Sequence, residues 1–563
     1  MKKLIECVPN FSEGRDMGLI RQITAEIESV EGVRLLDVDP GQATNRTVVT
    51  FVGEPEPVVE AAFRAIRKAA ELIDMRKHKG AHPRFGATDV CPLVPVANIT
   101  MEETVEYARK LGERVGRELG IPVYCYENAA FTPERRNLAN VRAGEYEGLP
   151  EKLTKPEWKP DFGPAEFNAT AGATAVGARD FLIAVNFNLN TTSTRRANAI
   201  AFDVREKGRP LREGNPVTGK IKKDENGNEI WIPGTLKGTK AIGWFIDEYG
   251  IAQVSMNITN ISQTPLHVAF EEVSEKARQR GLRVTGTEIV GLVPARAILE
   301  AGRYFLRKQQ RSLGVPDSEL IKIAVKSMGL DDLKPFKPEE KIIEYMLAAE
   351  EKQKLLVDLT AKGFAFETAS ESPAPGGGSI SAYVGALGAA LGTMVANLSA
   401  HKPGWDEQWE YFSHWAEKGH RLMEELLLLV DEDTRAFNKI MEAFGLPKST
   451  EEEKVARKKA IQEATLYATL TPLRTMEKAL QAFEIIRAMA ENGNPNSVSD
   501  AGVGALCART AVMGAFLNVK INAAGLDDKT QAQELISKGA GIEQKAIEAE
   551  KEILEIVNAK IKA

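Results

Sequence analysis

The chain has 563 residues, too many for one ordinary hydrophobic core, so its length indicates roughly two to four domains. Hydrophobic residues make up 43% of it and charged residues 27%, as in a globular protein that folds in water. With a formal net charge of -6, nothing indicates the strongly basic surface that nucleic acid requires, so we expect no nucleic-acid partner.

The cysteines are few and widely spaced. Cys7, Cys91, Cys125 and Cys507 contain no Cys-x-x-Cys pair, which argues against a disulfide framework or a thiolate zinc site. This use of cysteine favours a reducing, cytoplasmic location. Glu6 interrupts the apolar run at the N-terminus, so we expect no signal peptide.

One uncharged stretch, residues 372–400, is long enough to cross a membrane, and Gly388 and Gly392 give it a GxxxG spacing. Its composition is dominated by Ala, Gly and Ser, which are only weakly hydrophobic. Small residues at helical spacing also allow two helices to approach closely inside a bundle. We therefore expect a packed helix and no membrane partner.

Strands and helices alternate along the beginning of the chain, which is typical of an α/β sheet. Thr100 and Glu103 form a capping-box signature at the start of one helix, and Gly120 ends it. Apolar periodicity predicts another helix over residues 59–73. Strands are predicted over residues 4–8, 33–38, 46–52, 90–96 and 122–126.

The alternation restarts after a proline-rich passage at residues 155–164. Thr264 and Pro265 are the expected cap and first residue of a helix that Gly281 ends. A strand over 181–187, a helix over 195–206 and a hairpin over 242–256 precede it. From about residue 334 the strand signals vanish and long helical stripes follow.

The predicted fold class is therefore α/β plus all-α, with two α/β-sheet subdomains followed by a helical bundle. The predicted boundaries are residues 1–177 and 178–333 for the subdomains, 334–345 for a linker and 346–563 for the bundle.

Residues 78–92 concentrate reactive side chains on a turn, because Gly80, Pro83 and Gly86 interrupt any helix. His82 is the main candidate, since a neutral imidazole can take a proton from an attacking amine and return it to a leaving one.

Three further side chains are candidate helpers of His82. Asp39 and Asp89 are candidates to orient the imidazole, and Arg84 is a candidate to hold a carboxylate or an oxyanion. Two alternatives stay open. The histidines could be purely structural, or His78 and His82 could bind a metal, although no third ligand is evident.

A second candidate site begins at Gly376, Gly377, Gly378 and Ser379, which precede a predicted helix. Free amides at a helix start can bind an anion. The run is neither a Walker loop nor GxGxxG, so nucleotide binding is not indicated. Close packing of backbone against backbone is the alternative.

Asp433 is predicted to share a helix face with apolar side chains. Burial there disfavours the charged carboxylate, so its pKa should rise and it can serve as a general acid. A buried structural aspartate is the alternative. Asp431, by contrast, has Arg435 four residues later and is predicted to form an ordinary solvated pair. The apolar neighbours are Leu426, Leu429, Val430, Ala436, Phe437 and Ile440.

These motifs resemble the formiminotransferase-cyclodeaminase family over essentially the whole chain. The resemblance to the formiminotransferase domain lies in Cys7-Val-Pro-Asn-Phe-Ser-Glu-Gly14, Asn45-Arg-Thr-Val48, His82-Pro-Arg84, Asp89-Val-Cys-Pro92, Gly172-Ala-Thr and Gly177-Ala-Arg179. The resemblance to the cyclodeaminase domain lies in Ser372-Pro-Ala-Pro-Gly-Gly-Gly-Ser379 and Leu429-Val-Asp-Glu-Asp433.

The resemblance implies two consecutive reactions in histidine breakdown. The first transfers a formimino group from N-formimino-L-glutamate to N5 of tetrahydrofolate. The second cyclises 5-formimidoyltetrahydrofolate to 5,10-methenyltetrahydrofolate and releases ammonia. The family's catalytic histidine falls on His82 and its cyclodeaminase acid on Asp433. Polyglutamylated tetrahydrofolate as co-substrate, a homo-oligomer and the absence of a metal are further expectations.

The resemblance also places two folate-binding segments. The second follows a polar insert, about residues 211–231, that is absent from the animal enzymes. The segments are Gly163, Pro164, Ala165, Glu166, Phe167, Asn168, Ala169, Thr170, Ala171 and Gly172, and then Gly234, Thr235 and Leu236.

Two rival functions stay open. Bacterial relatives can use N-formylglutamate and make 5-formyltetrahydrofolate, and the sequence does not separate these donors. The other rival is a folate-binding protein with one or both sites silent.

Overall fold

A computed structural model describes residues 3–41, 45–80, 84–214, 219–350 and 355–562, apart from the side chains at positions 349, 350 and 562. The chain divides into two compact units. The first comprises Met1–Ala297 and Met328–Met346, and the second comprises Ile298–Ser327 and Leu347–Ala563.

The first unit begins with a seven-stranded mixed sheet, ordered β1-β4-β2-β5-β7-β6 with β3 paired to β4. Strand β7 pairs in parallel with both β5 and β6, and all the other described pairs of this sheet are antiparallel. In chain order the elements are β1 (Leu4–Cys7), β2 (Asn10–Phe11), α1 (Met17–Glu28), β3 (Val33–Gly41), β4 (Arg46–Gly53), α2 (Pro55–Leu72), β5 (Thr88–Ala97), α3 (Met101–Leu119), β6 (Val123–Glu127), α4 (Leu138–Arg142), α5 (Glu145–Lys152) and β7 (Thr174–Ala178).

Successive side chains of a strand point to opposite faces of this sheet, and each face packs on its own hydrophobic core. Cys91 and Cys125 join the main core, which α1, α2 and α3 cover. Val90 and Tyr124 join a smaller core that includes Leu149 of α5. The predicted capping box of α3 is confirmed, with Gly120 in the left-handed conformation after its last turn.

A second, four-stranded antiparallel sheet has the order β11-β12-β8-β13. The hairpin predicted over residues 242–256 is confirmed as β11 and β12. The elements are β8 (Ile183–Leu189), α6 (Thr194–Val204), β9 (Arg209–Pro210), β10 (Trp231–Ile232), β11 (Thr239–Ile246), β12 (Ile251–Ile258), α7 (Leu266–Arg278) and β13 (Val284–Val290). The short pair β9–β10 forms the base of the polar insert.

The predicted cap of α7 is wrong. Thr264 is buried and its hydroxyl donates to the Lys237 carbonyl at 2.7 Å, so it does not accept from the first turn of the helix. Pro265 takes the cap position instead, and no side chain caps this helix. The Thr264 hydroxyl thus forms a tertiary hydrogen bond in place of the helix cap that the local sequence pattern predicts.

Four helices follow β13, namely α8 (Ala295–Lys308), α9 (Asp317–Met328), α10 (Pro338–Lys341) and α11 (Ile343–Glu350). Residues 334–345, predicted as a linker, include the fully buried Ile342 and Ile343. The amide of Val293 donates to the Lys341 carbonyl at 2.9 Å, so this stretch packs within the first unit.

The second unit is helical, as predicted, and its core is rich in alanine. Gly388 faces the Gly504 carbonyl, where an added Cβ would lie 2.9 Å away, so α13 and α16 approach closely. The helices are α12 (Ala361–Thr368), α13 (Gly377–Ala400), α14 (Trp409–Gly445), α15 (Glu451–Asn492), α16 (Val498–Ala523) and α17 (Lys529–Lys562).

Two stretches have the length and composition that a membrane-spanning helix needs, namely Gly377–Ala400 and Pro495–Ala523. In the described structure, 61% of the apolar window in the first and 50% in the second is buried within the protein. Core helices of a bundle pass the same test of length and composition.

Candidate active sites

The loop before β5 is held by Asn45, whose backbone adopts the left-handed region. Its side chain accepts from the Gly14 amide at 3.0 Å and donates to the Lys79 carbonyl at 3.0 Å. Its carbonyl lies 2.8 Å from Nε2 of His78, which is buried. His82 itself lies outside the part of the chain that the structure describes, together with positions 81 and 83.

Arg84 faces two carboxylates of α5. Its guanidinium donates to Glu147 at 2.8 and 2.5 Å and to Glu145 at 3.3 Å. These contacts, first of all the hydrogen bond to Glu147, raise the pKa of the Arg84 guanidinium above its usual value. A substrate carboxylate that binds Arg84 therefore has to compete with Glu147.

Asp89 is almost fully buried and accepts from both Nε and Nη2 of Arg142, at the end of α4. Arg46 lies close to this pair, and burial lowers the pKa of its guanidinium, an effect that Asp89 opposes. Arg46 also donates to the Oδ1 of Asn10. Asp39 is exposed on β3, opposite Val48 of β4.

The first predicted folate segment lies against this same loop. The Ala87 amide donates to the Ala171 carbonyl at 2.8 Å, and the Met75 amide donates to the Thr170 carbonyl at 2.9 Å. Gly172 has a φ of 69° and sits against the backbone of Phe85 and Gly86, where a side chain would collide. The structure thus brings the C-terminal half of this segment to the loop that carries His82.

The same segment is fixed internally and leaves an aromatic side chain exposed. The Oδ1 of Asn168 accepts from the Ala171 amide at 2.9 Å. The hydroxyl of Tyr146 donates to the Ala169 carbonyl, and the Tyr146 ring lies 5.4 Å from that of Phe167. Phe167 is 38% exposed, so an aromatic surface is available to a flat ring system.

The second predicted folate segment is fixed after α6. Thr235 and Leu236 donate backbone hydrogen bonds to the carbonyls of Asp203 and Val204, at 3.1 and 2.8 Å, and Gly234 donates to Glu206 at 3.3 Å. Within the described residues, no hydrogen bond joins this segment to residues 163–172. The two segments are therefore held by different parts of the first unit: one by the stretch before β5, the other by the end of α6.

In the helical unit, Asp433 and the glycine run line one cavity of about 140 Å³ between the start of α13 and the helices α14, α15 and α16. Asp433 is its sole titratable lining side chain among the described residues. The lining is Pro373, Ala374, Gly376, Gly377, Gly378, Asp433, Thr434, Ala436, Phe437, Ile440, Ala468, Asn518 and Asn522.

Burial raises the pKa of the Asp433 carboxyl above its ordinary value, as the apolar face predicts. Hydrogen bonds from the hydroxyl of Ser379, at 3.0 Å, and from its backbone amide oppose this effect. Gly378 has no room for a side chain, because a Cβ there would collide with the Asp433 carboxylate. The glycine run thus lets the start of α13 contact the acid directly.

The predicted surface pair of Asp431 and Arg435 is wrong. Asp431 is buried, and its Oδ1 accepts from the Leu356 amide at 2.7 Å. Arg435 instead pairs with Glu432, at 2.6 Å. The backbone segment before α12 therefore covers a helix face that the local charge pattern assigned to solvent.

Several residues of both sites were not predicted. Asn518 and Asn522 lie one turn apart on α16 and enter the cavity from a distant part of the sequence. In the same way, Arg142 reaches Asp89 of β5, and Tyr146 reaches Ala169 of the first folate segment. Their sequence neighbourhoods contain no motif, so only tertiary structure reveals them.

A metal site is not formed by the described residues, in which no three His, Cys, Asp or Glu side chains cluster in a way that could hold an ion. The four cysteines, all within the described part of the chain, form no disulfide bond. The Sγ atoms of Cys7 and Cys91 lie 3.5 Å apart in the core.

Three family models match consecutive parts of the chain. The formiminotransferase domain, N-terminal subdomain, matches residues 4–179; the formiminotransferase domain matches 184–348; and formiminotransferase-cyclodeaminase matches 360–540. Formimidoyltransferase-cyclodeaminase of Gallus gallus is 44% identical over 541 residues, which are 96% of either chain. This chain belongs to the formiminotransferase-cyclodeaminase family.

Some relatives of this formiminotransferase-cyclodeaminase chain match one part of it. Glutamate formimidoyltransferase of Streptococcus pyogenes is 43% identical over 307 residues, 54% of this chain and 94% of its own. Methenyltetrahydrofolate cyclohydrolase of Methylorubrum extorquens is 39% identical over 202 residues, 36% of this chain and 97% of its own. Each part of the chain thus resembles a protein that stands alone elsewhere.

Proposed function

We propose that this chain is a bifunctional folate enzyme. Its first part transfers the formimino group of N-formimino-L-glutamate to N5 of tetrahydrofolate. Its helical unit then converts 5-formimidoyltetrahydrofolate to 5,10-methenyltetrahydrofolate and ammonia. The observation that carries the proposal is the 44% identity to a formimidoyltransferase-cyclodeaminase along nearly the whole of both chains.

For the transfer step we assign proton shuttling to His82. N5 attacks the amidine carbon, a tetrahedral intermediate forms, and one proton has to move from the attacking to the leaving nitrogen. The support is that the described segments on either side of His82 are fixed by Asn45 and by the backbone contacts of residues 170–172. Arg84 and Asp89 are assigned supporting roles, and Asp39 a weaker one.

For the second step we assign the general acid to Asp433. N10 attacks the amidine carbon, and its proton passes to the imino nitrogen. Asp433 supplies the second proton, so that the nitrogen leaves as ammonia with the electrons of the broken C–N bond. The lone pairs of N5 and N10 stabilise the positively charged carbon that remains, which is the methenyl group. A carboxyl group with a raised pKa holds that proton at a higher pH than an ordinary aspartate.

Two variants test this division of labour. His82→Ala is expected to abolish formimino transfer and to retain cyclisation of supplied 5-formimidoyltetrahydrofolate. Asp433→Ala is expected to do the reverse. Each reaction is followed separately, the transfer by glutamate release and the cyclisation by the ultraviolet absorbance of methenyltetrahydrofolate. Loss of both activities in either folded variant would contradict the assignment.

The donor is a separate question, since the rival donor is N-formylglutamate. Assays of purified protein with both donors distinguish them, because a formyl donor gives 5-formyltetrahydrofolate and no ammonia. A protein that binds folate tightly and turns over neither donor would be the silent-site rival.

A cyclohydrolase activity of the helical unit is a second candidate. It is favoured by the 39% identity to a methenyltetrahydrofolate cyclohydrolase. Both reactions pass through a tetrahedral carbon between N5 and N10. That carbon gains water in the cyclohydrolase reaction and loses ammonia in the cyclodeaminase reaction. Loss of methenyltetrahydrofolate absorbance, compared between the protein and the Asp433→Ala variant, measures it.

The remaining proposals rest on the family resemblance and on the composition of the chain. We propose a cytoplasmic homo-oligomer that uses polyglutamylated tetrahydrofolate, with no metal, nucleic-acid or membrane partner. Sedimentation of the purified protein, its metal content and its KM for folates of increasing glutamate number test these points.

A further inference from the structure

The cavity beside Asp433 contains two asparagines whose role the assignment of the acid does not explain. Asn518 and Asn522 follow one another by a helical turn on α16, and both line the cavity. The side chain of Asn518 lies beside Gly377, where an added Cβ would be 3.4 Å from its Nδ2. Both amides therefore line the same narrow space as the glycine run and Asp433.

Hydrogen bonds to backbone carbonyls determine which way each amide points. The Nδ2 of Asn518 donates to the Gly514 carbonyl at 3.0 Å, and the Nδ2 of Asn522 donates to the Ala468 carbonyl at 2.7 Å. A carbonyl accepts only, so an NH2 group and not an oxygen must face it. Among the described residues, no donor is bonded to either Oδ1. The Oδ1 atom of each asparagine is therefore available to accept a hydrogen bond from a ligand.

The chemistry of the cavity suits a group that donates hydrogen bonds. Its described lining has one carboxylate, these two amides and the Thr434 hydroxyl, whose Oγ1 is buried without a described partner, and no cationic side chain. A formimino group presents N–H bonds and carries positive charge when protonated, whereas a formyl group presents only lone pairs at the same position. Amide oxygens attract the first and repel the second.

We propose that Asn518 and Asn522 bind the departing nitrogen of the formimino group through their amide oxygens, and so determine the preference for a formimino over a formyl group on N5. This inference rests on the proposed cyclodeaminase function of the same cavity. During the reaction, the two amide oxygens accept hydrogen bonds from the N–H groups of this nitrogen as it gains its second and third hydrogens. They orient it toward Asp433, which supplies the last proton, and the nitrogen leaves as ammonia.

The test compares Asn518→Leu and Asn522→Leu with the matched control Asn558→Leu, at an exposed position of α17. Two constants are measured in each full-length protein: kcat/KM for supplied 5-formimidoyltetrahydrofolate, and the inhibition constant of 5-formyltetrahydrofolate. We expect kcat/KM to fall roughly 10- to 100-fold, as for a lost hydrogen bond to a charged group. The inhibition constant should stay within about 3-fold or decrease, since an unfavourable oxygen–oxygen contact is removed.

Two results would overturn the inference. One is an unchanged kcat/KM in both folded variants. The other is an inhibition constant that rises in parallel with the loss of kcat/KM, which is the signature of a distorted cavity. The transferase activity of the same chain and its unfolding temperature report whether each variant is folded. If the unsubstituted protein and Asn558→Leu fail to form methenyltetrahydrofolate, the proposed function itself is wrong, and the two failures are thereby distinguished.

Discussion

The Asp433 carboxyl experiences two opposing effects that can be separated by substitution. Burial raises its pKa, and the hydrogen bonds from Ser379 lower it. A general acid works in its protonated form, so the cyclisation rate should decline as the pH rises through this pKa. Ser379→Ala removes a bond that stabilises the charged form, and the declining limb of the pH–rate profile should therefore move to higher pH.

The control for this prediction is Ser449→Ala, an exposed serine before α15. Its pH profile should coincide with that of the unsubstituted protein. A limb that stays in place or moves to lower pH in Ser379→Ala would contradict the assigned balance of effects.

Gly378 provides a steric test of the same contact. A methyl group there collides with the Asp433 carboxylate, so Gly378→Ala must displace either the acid or the start of α13. We expect cyclisation to fall by a factor on the order of 100 while formimino transfer is retained, because a displacement of about 1 Å suffices for such a loss. Gly445→Ala, at the end of α14 with open space around it, is the matched control.

At the scale of elements, β1 has a buried carboxyl group in the middle of the first sheet. Glu6 pairs with Val52 of β4 and Val94 of β5, and it is 5% exposed. Desolvation raises its pKa from 4.5 to about 7, with Arg179 opposing. The folded state thus binds more protons than the unfolded state between these values, and stability contributed by protonated Glu6 is lost as the pH rises through about 7.

Glu6→Gln should therefore stabilise the first sheet at pH 8 by up to about 3 kcal/mol and have little effect at pH 4.5. Hydrogen exchange of peptides covering β1 and β5, compared between variant and parent at each pH, measures the difference. Equal protection of the two proteins at pH 8 would show that Glu6 does not oppose folding there.

The elements differ in how far the sequence predicts them, and the difference follows from the range of the interactions. The α3 helix, with its capping box and final Gly120, depends on local contacts and is predicted correctly. The partners of Thr264 and Asp431 come from distant segments, and both local predictions are wrong. In the cavity, the helix periodicity indicates a buried Asp433, but the approach of α16 depends on packing that no single segment encodes.

At the scale of the whole chain, the two compact units hold the two proposed sites separately. The described contacts of the loop before β5 lie within the first unit, and the cavity of Asp433 is lined entirely by residues of the second. A substitution at one site should therefore leave the other intact. In the proposed sequence of reactions, 5-formimidoyltetrahydrofolate is not covalently bonded to the protein, so it can pass between sites on different chains.

A mixture of the His82→Ala and Asp433→Ala proteins should consequently restore methenyltetrahydrofolate formation from N-formimino-L-glutamate and tetrahydrofolate. The intermediate must leave one chain and bind another, so its concentration has to build up first and the mixture should show a lag. The unsubstituted protein should show a shorter lag at equal site concentration if the intermediate is transferred within one molecule or assembly, since the effective concentration is then higher. Equal lags would mean release into solution in both cases, and a mixture without activity would mean that the two units do not function independently.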